Sequence, residues 1–291
     1  MQSRCRVVGR QREPLSLASC MTSMRVPSTD ADISYQALGD GADVVLLHPF
    51  PAHRGIWMPV AERLAARFRC ILPDLRGHGD SETGDGAATM EKHADDLLRV
   101  ANDADVGRAV FVGVSIGGYI LFEFWRRHRE RVSALVLCDT RAPADSDETR
   151  RARRQSIEQV QKSGPDAFLD AQAERLIGAA TRRNRPDIAA AARQMMSRTS
   201  VAGIVAVQQG MASRPDSVPT LKTIDVPTLV LVGDEDVVTP RADAELMQRG
   251  IAGSRLEVIA GAGHYSPFEQ PEAVAKAIYT FLESRAVAGA R

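Results

Sequence analysis

Short apolar runs recur along the chain and alternate with longer segments of helical character. Six of the runs are nearly continuous and rich in β-branched residues: 43–49, 68–74, 109–115, 133–140, 227–236 and 254–262. Such runs are typical of strands that are buried on both faces of a parallel sheet. The segments of helical character are 56–67, 89–104, 116–130, 241–251 and 271–285. Strands that alternate with helices predict an α/β fold with a doubly wound, mostly parallel sheet.

Residues 141–219 break this alternation, because they contain helical stretches and no strand-like run. An all-helical segment between two core strands predicts a helical cap, inserted into a core formed by residues 24–140 and 220–291. The cap holds thirteen Lys/Arg against nine Asp/Glu. Arginines that face inward could pair with an acidic substrate, whereas arginines in water would have no such role. The sequence leaves both alternatives open.

The first 23 residues have scattered charges and neither a helical nor a strand period. Within them, the segment Leu17–Cys20 has the form of a lipoprotein cleavage box. A signal peptide, however, needs roughly 7–15 apolar residues before such a box. Arg10, Arg12 and Glu13 interrupt that stretch. We therefore expect residues 1–23 to be a disordered leader.

Composition and charge exclude several classes of protein. The 291 residues include 37 Lys+Arg and 37 Asp+Glu, so the formal net charge is zero. This balance argues against a general nucleic-acid or anionic-membrane binder, which carries a basic excess. No apolar run approaches the ~18 residues of a membrane span. The four cysteines show neither metal-ligand spacing nor a disulfide framework, which favours a cytoplasmic protein.

The strongest local motif is the sequence Gly113-Val114-Ser115-Ile116-Gly117, which lies between a predicted strand and an apolar predicted helix. A sharp strand-to-helix turn leaves no room for side chains beside its central residue, which explains the two glycines. The turn places the Ser115 hydroxyl at a helix N-terminus, where oriented N–H groups favour developing negative charge. The motif predicts that Ser115 is a nucleophile.

A serine nucleophile needs a base, and the base needs a third group to orient it. Among the six histidines, His264 lies in a glycine-loosened loop after the last predicted strand. His48 and His53 flank a strand-end loop, and His78 is expected to shape a turn. His93 and His128 lie in polar helical segments, and we expect both at the surface.

The acid lies between Ser115 and His264 if the chain follows the order Ser…Asp…His. Four acidic residues follow predicted strands in that interval: Asp139, Asp234, Glu235 and Asp236. Spacing alone does not separate the last three. The chain contains no HExxH zinc motif, P-loop or GxGxxG dinucleotide motif, so we expect no metal and no cofactor.

Taken together, these motifs resemble those of the α/β-hydrolases, in the bacterial group of esterases, lactonases and haloperoxidase-like proteins. The resemblance covers almost everything from about residue 43 to residue 284. It is carried by His48–Phe50, Asp74–Ser81, 113–117, Gly233–Pro240 and Gly261–His264. The overall layout and the Arg-rich cap look most like proteins of the 3-oxoadipate enol-lactonase type.

The resemblance implies specific roles for three of the candidate residues. It implies that Asp236 is the catalytic acid and His264 the base, with Asp139 as the fallback acid. It also implies that residues 141–219 cover the active site. Close relatives that use an aspartate nucleophile have Asp where this chain has Ser115, so an aspartyl-ester mechanism is not expected.

The resemblance further implies an oxyanion hole formed by the backbone N–H groups of Phe50 and Ile116. The family usually has glycine where this chain has Pro49, and proline has no N–H to donate. The donor position, however, matches Phe50, whose N–H is free to donate.

We therefore expect a serine hydrolase that cleaves a carboxylic ester or a lactone through a Ser-His-Asp triad and an acyl-enzyme. Two alternatives use the same triad, namely a cofactor-free perhydrolase of haloperoxidase type and a C–C bond hydrolase. A non-enzymatic ligand receptor is the third alternative, and the intact triad argues against it. The expected partner is a small-molecule ester or lactone, with no nucleic acid and no membrane. The oligomeric state is left open.

Overall fold

The structure is a computed structural model, and it describes residues 23–289. Within this range, eight strands form one sheet in the order β1-β2-β4-β3-β5-β6-β7-β8. The strands are β1 Met24–Pro27, β2 Asp32–Leu38, β3 Ala42–Leu47, β4 Phe68–Pro73, β5 Ala109–Val114, β6 Val132–Cys138, β7 Thr228–Gly233 and β8 Arg255–Ile259. Strands β3 to β8 are parallel, whereas β2 pairs antiparallel with β1 and β4. The predicted fold class, an α/β fold with a mostly parallel sheet, is confirmed.

Helices join the parallel strands and cover the sheet. Those outside the segment between β6 and β7 are α1 Met58–Leu64, α2 Met90–Asp103, α3 Ile116–His128, α10 Arg241–Gly250, α11 Ser266–Glu269 and α12 Pro271–Gly289. α1 packs on α12, and α2 packs on α3. No helix among residues 23–289 is long and apolar enough to cross a membrane.

The antiparallel strands β1 and β2 were not among the predicted strands. Strand β2 has the sequence Asp-Ile-Ser-Tyr-Gln-Ala-Leu, in which apolar and polar residues alternate. Alternation is typical of antiparallel strands, whereas the prediction relied on continuous apolar runs.

The last predicted strand, 254–262, is not buried on both faces as expected. Strand β8 pairs only with β7 and forms the edge of the sheet. Arg255, Glu257 and Val258 are exposed there, because no further strand pairs with this edge among the described residues.

Between β6 and β7 the chain forms helices and no strand, and we call these helices the insertion. They are α4 Asp147–Ser163, α5 Asp166–Leu176, α6 Ala179–Asn184, α7 Pro186–Met196, α8 Val201–Ala212 and α9 Val218–Leu221. α4 packs on α8, and α5 packs on α7. The division into a core, 24–140 and 220–291, and a cap, 141–219, stays a prediction. The leader predicted at 1–23 lies outside the described residues, except for Ser23.

The carboxyl ends of the parallel strands meet at one edge of the sheet. Ser115 follows β5, Asp139 follows β6, and the acidic residues 234–236 follow β7. His264 follows β8 by five residues. In open α/β sheets this edge forms the crevice in which ligands bind.

Candidate active site

Ser115 lies in a strained turn between β5 and α3. Its backbone adopts φ 56° and ψ −115°, a left-handed conformation that non-glycine residues rarely adopt. Its N–H donates to the carbonyl oxygens of Cys138 and Asp139, both at 3.1 Å. A Cβ on Gly113 would lie 2.5 Å from the carbonyl carbon of Gly117. The turn therefore requires glycine at this position, because backbone lies where a side chain would begin.

His264 and Asp236 form a buried hydrogen-bonded pair. The Nδ1 atom of His264 lies 2.8 Å from Oδ2 of Asp236. The other oxygen, Oδ1, accepts from the backbone N–H groups of Val238 at 2.7 Å and Thr239 at 3.0 Å. The Thr239 hydroxyl donates to Oδ2 at 2.6 Å. These donors fix the carboxylate, so the imidazole is held through Nδ1 and its Nε2 is the nitrogen left for chemistry.

The environment of Asp236 keeps its carboxyl ionised. Burial by itself raises the pKa of this group, but the interaction with His264 opposes that effect. Together with the hydrogen bonds from Thr239, it places the pKa of Asp236 below its ordinary value. The ionised carboxylate can accept a hydrogen bond from the Nδ1–H of His264.

The structure separates Asp234, Glu235 and Asp236, which spacing could not, and it also distinguishes Asp236 from Asp139. Asp234 accepts from the Gly261 N–H at 2.7 Å, so it braces the loop before His264. Glu235 points into the insertion and accepts from the Ala180 N–H at 2.8 Å. Only Asp236, among these four residues, has a hydrogen bond to the imidazole of His264 in the described part of the chain.

Asp139, the fallback acid, is fully buried with other partners. Its Oδ1 accepts from the Gly233 N–H at 2.8 Å, and its Oδ2 accepts from the Ser266 hydroxyl. Burial and the negative charge of Asp236 raise the pKa of Asp139 well above its ordinary value. A carboxyl of this kind supports the sheet edge and is poorly suited to stabilise a cationic histidine.

Ser115 and His264 border the same cavity, which has a volume of about 160 Å³. Strand ends supply Phe50, Ser115, Val238 and His264 to its lining, and the insertion supplies most of the remainder. No hydrogen bond joins Ser115 to His264 within residues 23–289. In many enzymes the bond between nucleophile and base becomes short only when substrate binds.

The two amides predicted to form an oxyanion hole have no acceptor within residues 23–289: neither the Phe50 N–H nor the Ile116 N–H donates a hydrogen bond there. The Phe50 carbonyl accepts from the Tyr265 hydroxyl at 3.2 Å, which links this loop to the residue after His264. Phe50 also lines the cavity, and Ile116 directly follows Ser115.

Three of the remaining histidines, His48, His78 and His93, are buried and do not line the cavity. His48 uses both ring nitrogens on backbone groups, accepting from the Leu75 N–H at 2.8 Å through Nε2. The His78 ring packs edge-on against His48 at 5.0 Å, and its Nδ1 lies 3.0 Å from the Arg76 carbonyl oxygen. The surface position expected for His93 is wrong, because its side chain is buried against the sheet on α2.

Glu269 and Thr239 were not identified from the sequence. Glu269 accepts from the N–H groups of Gly263 and Tyr265, which flank His264, and from the N–H of Gly178 in the insertion. A turn after Asp236 could have been expected, because aspartate side chains often accept backbone N–H groups two residues on, but this pattern does not identify the Thr239 hydroxyl. No local pattern identifies Glu269, whose partner Gly178 is distant in sequence.

Among the residues that the structure describes, no group of three or more His, Cys, Asp or Glu side chains could hold a metal ion. Cys70 and Cys138 are free and buried, and burial raises the pKa of both thiols.

Comparison with known proteins identifies the family. The family model described as the alpha/beta hydrolase fold matches residues 44–271. An esterase from Thermogutta terrifontis, solved with malate bound, is 40% identical and superposes with a TM-score of 0.87, covering 90% of this chain and 98% of the esterase.

Two curated relatives are more distant. The 3-oxoadipate enol-lactonase 1 of Acinetobacter baylyi is 25% identical over 83% of this chain and 88% of its own length. A provisionally named non-heme bromoperoxidase of Mycobacterium tuberculosis is 30% identical over 87% of this chain and 98% of its own length. The chain belongs to the alpha/beta hydrolase family and groups with its esterases and lactonases.

Proposed function

We propose that this protein is a serine hydrolase that cleaves a carboxylic ester or a lactone by forming an acyl-enzyme on Ser115. His264 serves as the base, and Asp236 orients it. The esterase and the enol-lactonase among the relatives support hydrolysis of this bond type. The observation that carries the proposal is the buried Asp236–His264 pair on a cavity that Ser115 also lines.

The reaction follows from this arrangement. Nδ1 of His264 donates to Asp236, so Nε2 accepts the proton of the Ser115 hydroxyl as Oγ attacks the substrate carbonyl. The imidazolium that forms is stabilised by the ionised Asp236. The N–H groups of Phe50 and Ile116 stabilise the negative charge on the carbonyl oxygen, and each such donor is worth about 10²–10³ in rate.

His264 then returns the proton to the leaving alcohol, and the acyl group remains on Ser115. A water molecule that gives its proton to Nε2 attacks the acyl-enzyme and releases the acid. With a lactone, the leaving hydroxyl stays on the same molecule as the acyl group, so the product is a hydroxy acid, or a keto acid when the released hydroxyl is an enol that tautomerises.

The test is a panel of short-chain esters and lactones with wild type and Ser115→Ala. We expect Ser115→Ala to lose at least about 10³-fold in kcat/KM and to lose labelling by a fluorophosphonate probe. Ser213→Ala is the control, because this side chain donates to the Gly210 carbonyl oxygen outside the cavity. Full activity of Ser115→Ala would refute the proposal.

The bromoperoxidase among the relatives favours one alternative, perhydrolysis on the same three residues. In that reaction hydrogen peroxide replaces water in attacking the acyl-enzyme, and a peracid is released. Peroxide-dependent bromination with acetate present, lost in Ser115→Ala, would assign this activity. Ester hydrolysis without such bromination would exclude it.

A further inference from the structure

The cavity above Ser115 carries an excess of positive charge. The acidic and basic side chains in its lining are those of Asp145, Arg141, Arg153 and Arg175. Three arginines thus face one aspartate. Since paired charges offer little to a ligand, the partners of each arginine decide whether the cavity is suited to an anion.

Asp145 is already shared by two arginines. Its Oδ2 accepts from Nε of Arg153 at 2.5 Å, and its Oδ1 accepts from Nη2 of Arg214 at 2.9 Å. Arg214 is buried behind the cavity, where its guanidinium stacks over the Tyr119 ring at 4.1 Å. This carboxylate therefore has no charge left to neutralise another arginine.

Arg141 is also paired within the protein. Its Nη2 lies 3.2 Å from Oδ2 of Asp243 and donates to the carbonyl oxygen of Val238. Arg153 has a second fixed contact, because its Nη1 donates to the Gln208 side chain at 2.6 Å. Both guanidinium groups are thus held in place as parts of the cavity wall.

Arg175 differs from these arginines. Within residues 23–289 its guanidinium has neither an ion pair nor a hydrogen bond, although it borders the cavity. Gln172 lies three residues earlier on α5, so both side chains project from one face of the helix into the same space. Among the described residues, the Gln172 amide has no hydrogen bond either.

The position of Arg175 along the chain relates it to the base. The next residue, Leu176, accepts the backbone N–H of His264 on its carbonyl oxygen at 2.9 Å. The end of α5 is thereby fixed to the loop that carries the imidazole. A ligand group bound at Arg175 would consequently be held at a fixed position relative to the bond that reacts beside His264.

We propose that Arg175 is a specificity residue that binds a carboxylate of the substrate, with the Gln172 amide beside it. The protein then prefers an ester or lactone with a free carboxylate over its neutral counterpart. This inference rests on the proposed hydrolysis at Ser115. The cavity of about 160 Å³ favours a small substrate, in which the carboxylate and the reacting carbonyl are a few bonds apart.

The energetics favour this arrangement for an anionic substrate. A guanidinium presents N–H donors in a plane that matches a carboxylate, and such charge-assisted hydrogen bonds are stronger than neutral ones. Arg175 is exposed, so solvent screening weakens the pair. We therefore expect the contact to change kcat/KM by roughly five- to thirtyfold.

The experiment compares the monomethyl ester of a short dicarboxylic acid with the dimethyl ester of the same acid. Wild type, Arg175→Gln, Arg175→Lys and Arg154→Gln are assayed on both. Arg154 is the matched control, an exposed arginine of the insertion that does not border the cavity. Melting temperatures of all variants are measured to detect any structural effect.

We expect Arg175→Gln to raise KM for the monoester roughly five- to thirtyfold, with little change in kcat, because the contact exists before and during the reaction. KM for the dimethyl ester should stay within about twofold, since this ester offers no charge to Arg175. Arg175→Lys should retain part of the preference, and added salt should reduce the preference in every protein that keeps a cation at position 175 but not in Arg175→Gln. Arg154→Gln should behave as wild type.

Two outcomes would overturn the subsite. One is a wild type that hydrolyses the dimethyl ester as well as or better than the monoester, and the other is an equal loss on both esters in Arg175→Gln. Either result leaves ester hydrolysis intact, provided that Ser115→Ala abolishes turnover of the dimethyl ester. A wild type that hydrolyses neither ester nor any lactone would instead count against the proposed function itself.

Discussion

Glu269 joins the loop that carries His264 to the insertion, and its replacement gives a sharp test of that connection. Its carboxylate is fully buried. Oε1 accepts from the N–H groups of Gly263 at 3.0 Å and Tyr265 at 3.2 Å, and Oε2 accepts from the Gly178 N–H at 2.9 Å. Replacement by alanine leaves three buried backbone donors without an acceptor.

The magnitude follows from these three donors. An unsatisfied buried N–H costs about 1–3 kcal/mol, and water that enters the vacated space recovers part of this loss. Burial raises the pKa of Glu269 in wild type, which reflects the cost of burying its carboxylate. The alanine variant no longer bears this cost. We expect Glu269→Ala to lower the free energy of unfolding by about 3–5 kcal/mol.

Glu269→Gln refines the prediction, because glutamine keeps one accepting oxygen. The orientation that preserves the bonds from Gly263 and Tyr265 turns the amide NH₂ towards the Gly178 N–H, where two donors then face each other. We expect a loss of about 1–3 kcal/mol. Relative to wild type, amide hydrogen exchange should accelerate more in residues 176–181, where a bond is lost, than in residues 261–265, where the bonds are kept.

Urea denaturation of both variants measures these losses, and Glu272 supplies the control. Its side chain is 85% exposed and lies 3.4 Å from Arg63, so Glu272→Ala should change stability by less than about 0.5 kcal/mol. If Glu269→Ala is no less stable than Glu272→Ala, the argument from the three buried donors is wrong.

Two further predictions concern the acid and the pH dependence of stability. Asp236→Asn should lower kcat by about 10³–10⁴, because the amide no longer stabilises the imidazolium. Asp139→Asn should lower kcat far less. If steady-state kinetics gave the reverse order, Asp139 would be the acid. Burial lowers the pKa of His78 to about 3 from its ordinary value of 6.5, so its neutral form stabilises the fold above pH 6.5, and this contribution is lost between pH 6.5 and pH 3 as the unfolded chain takes up the proton. The stability advantage of wild type over His78→Gln should therefore shrink by about 1.4 kcal/mol per pH unit below 6.5 in urea denaturation, and a constant difference from pH 7 to pH 5 would contradict this reasoning.

Local patterns were sufficient where one segment determines its own structure. Strands β3 to β7 are mostly apolar because each lies between two other strands of the sheet, so each has a pattern that can be recognised alone. The turn at Ser115 was equally recognisable, since the backbone of Gly117 lies where a side chain at Gly113 would begin. Strands β1 and β2 were not predicted, because alternation over a few residues is a weaker pattern than a continuous apolar run.

The sequence by itself determined the parallel sheet, the helical character of 141–219 and the candidate serine and histidine. Each depends on residues that are neighbours along the chain, where periodicity and turn chemistry act. Spacing alone did not separate Asp236 from its neighbours, and only the family resemblance pointed to it; the tertiary structure distinguishes it by directing Asp234 to the Gly261 loop and Glu235 to the insertion. Likewise, Arg175 differs from Arg141 and Arg153, which also line the cavity, in that its guanidinium has no ion pair or hydrogen bond among the described residues. Hydrogen bonds and ion pairs depend on distances of about 3 Å between segments far apart in sequence, and folding alone sets those distances.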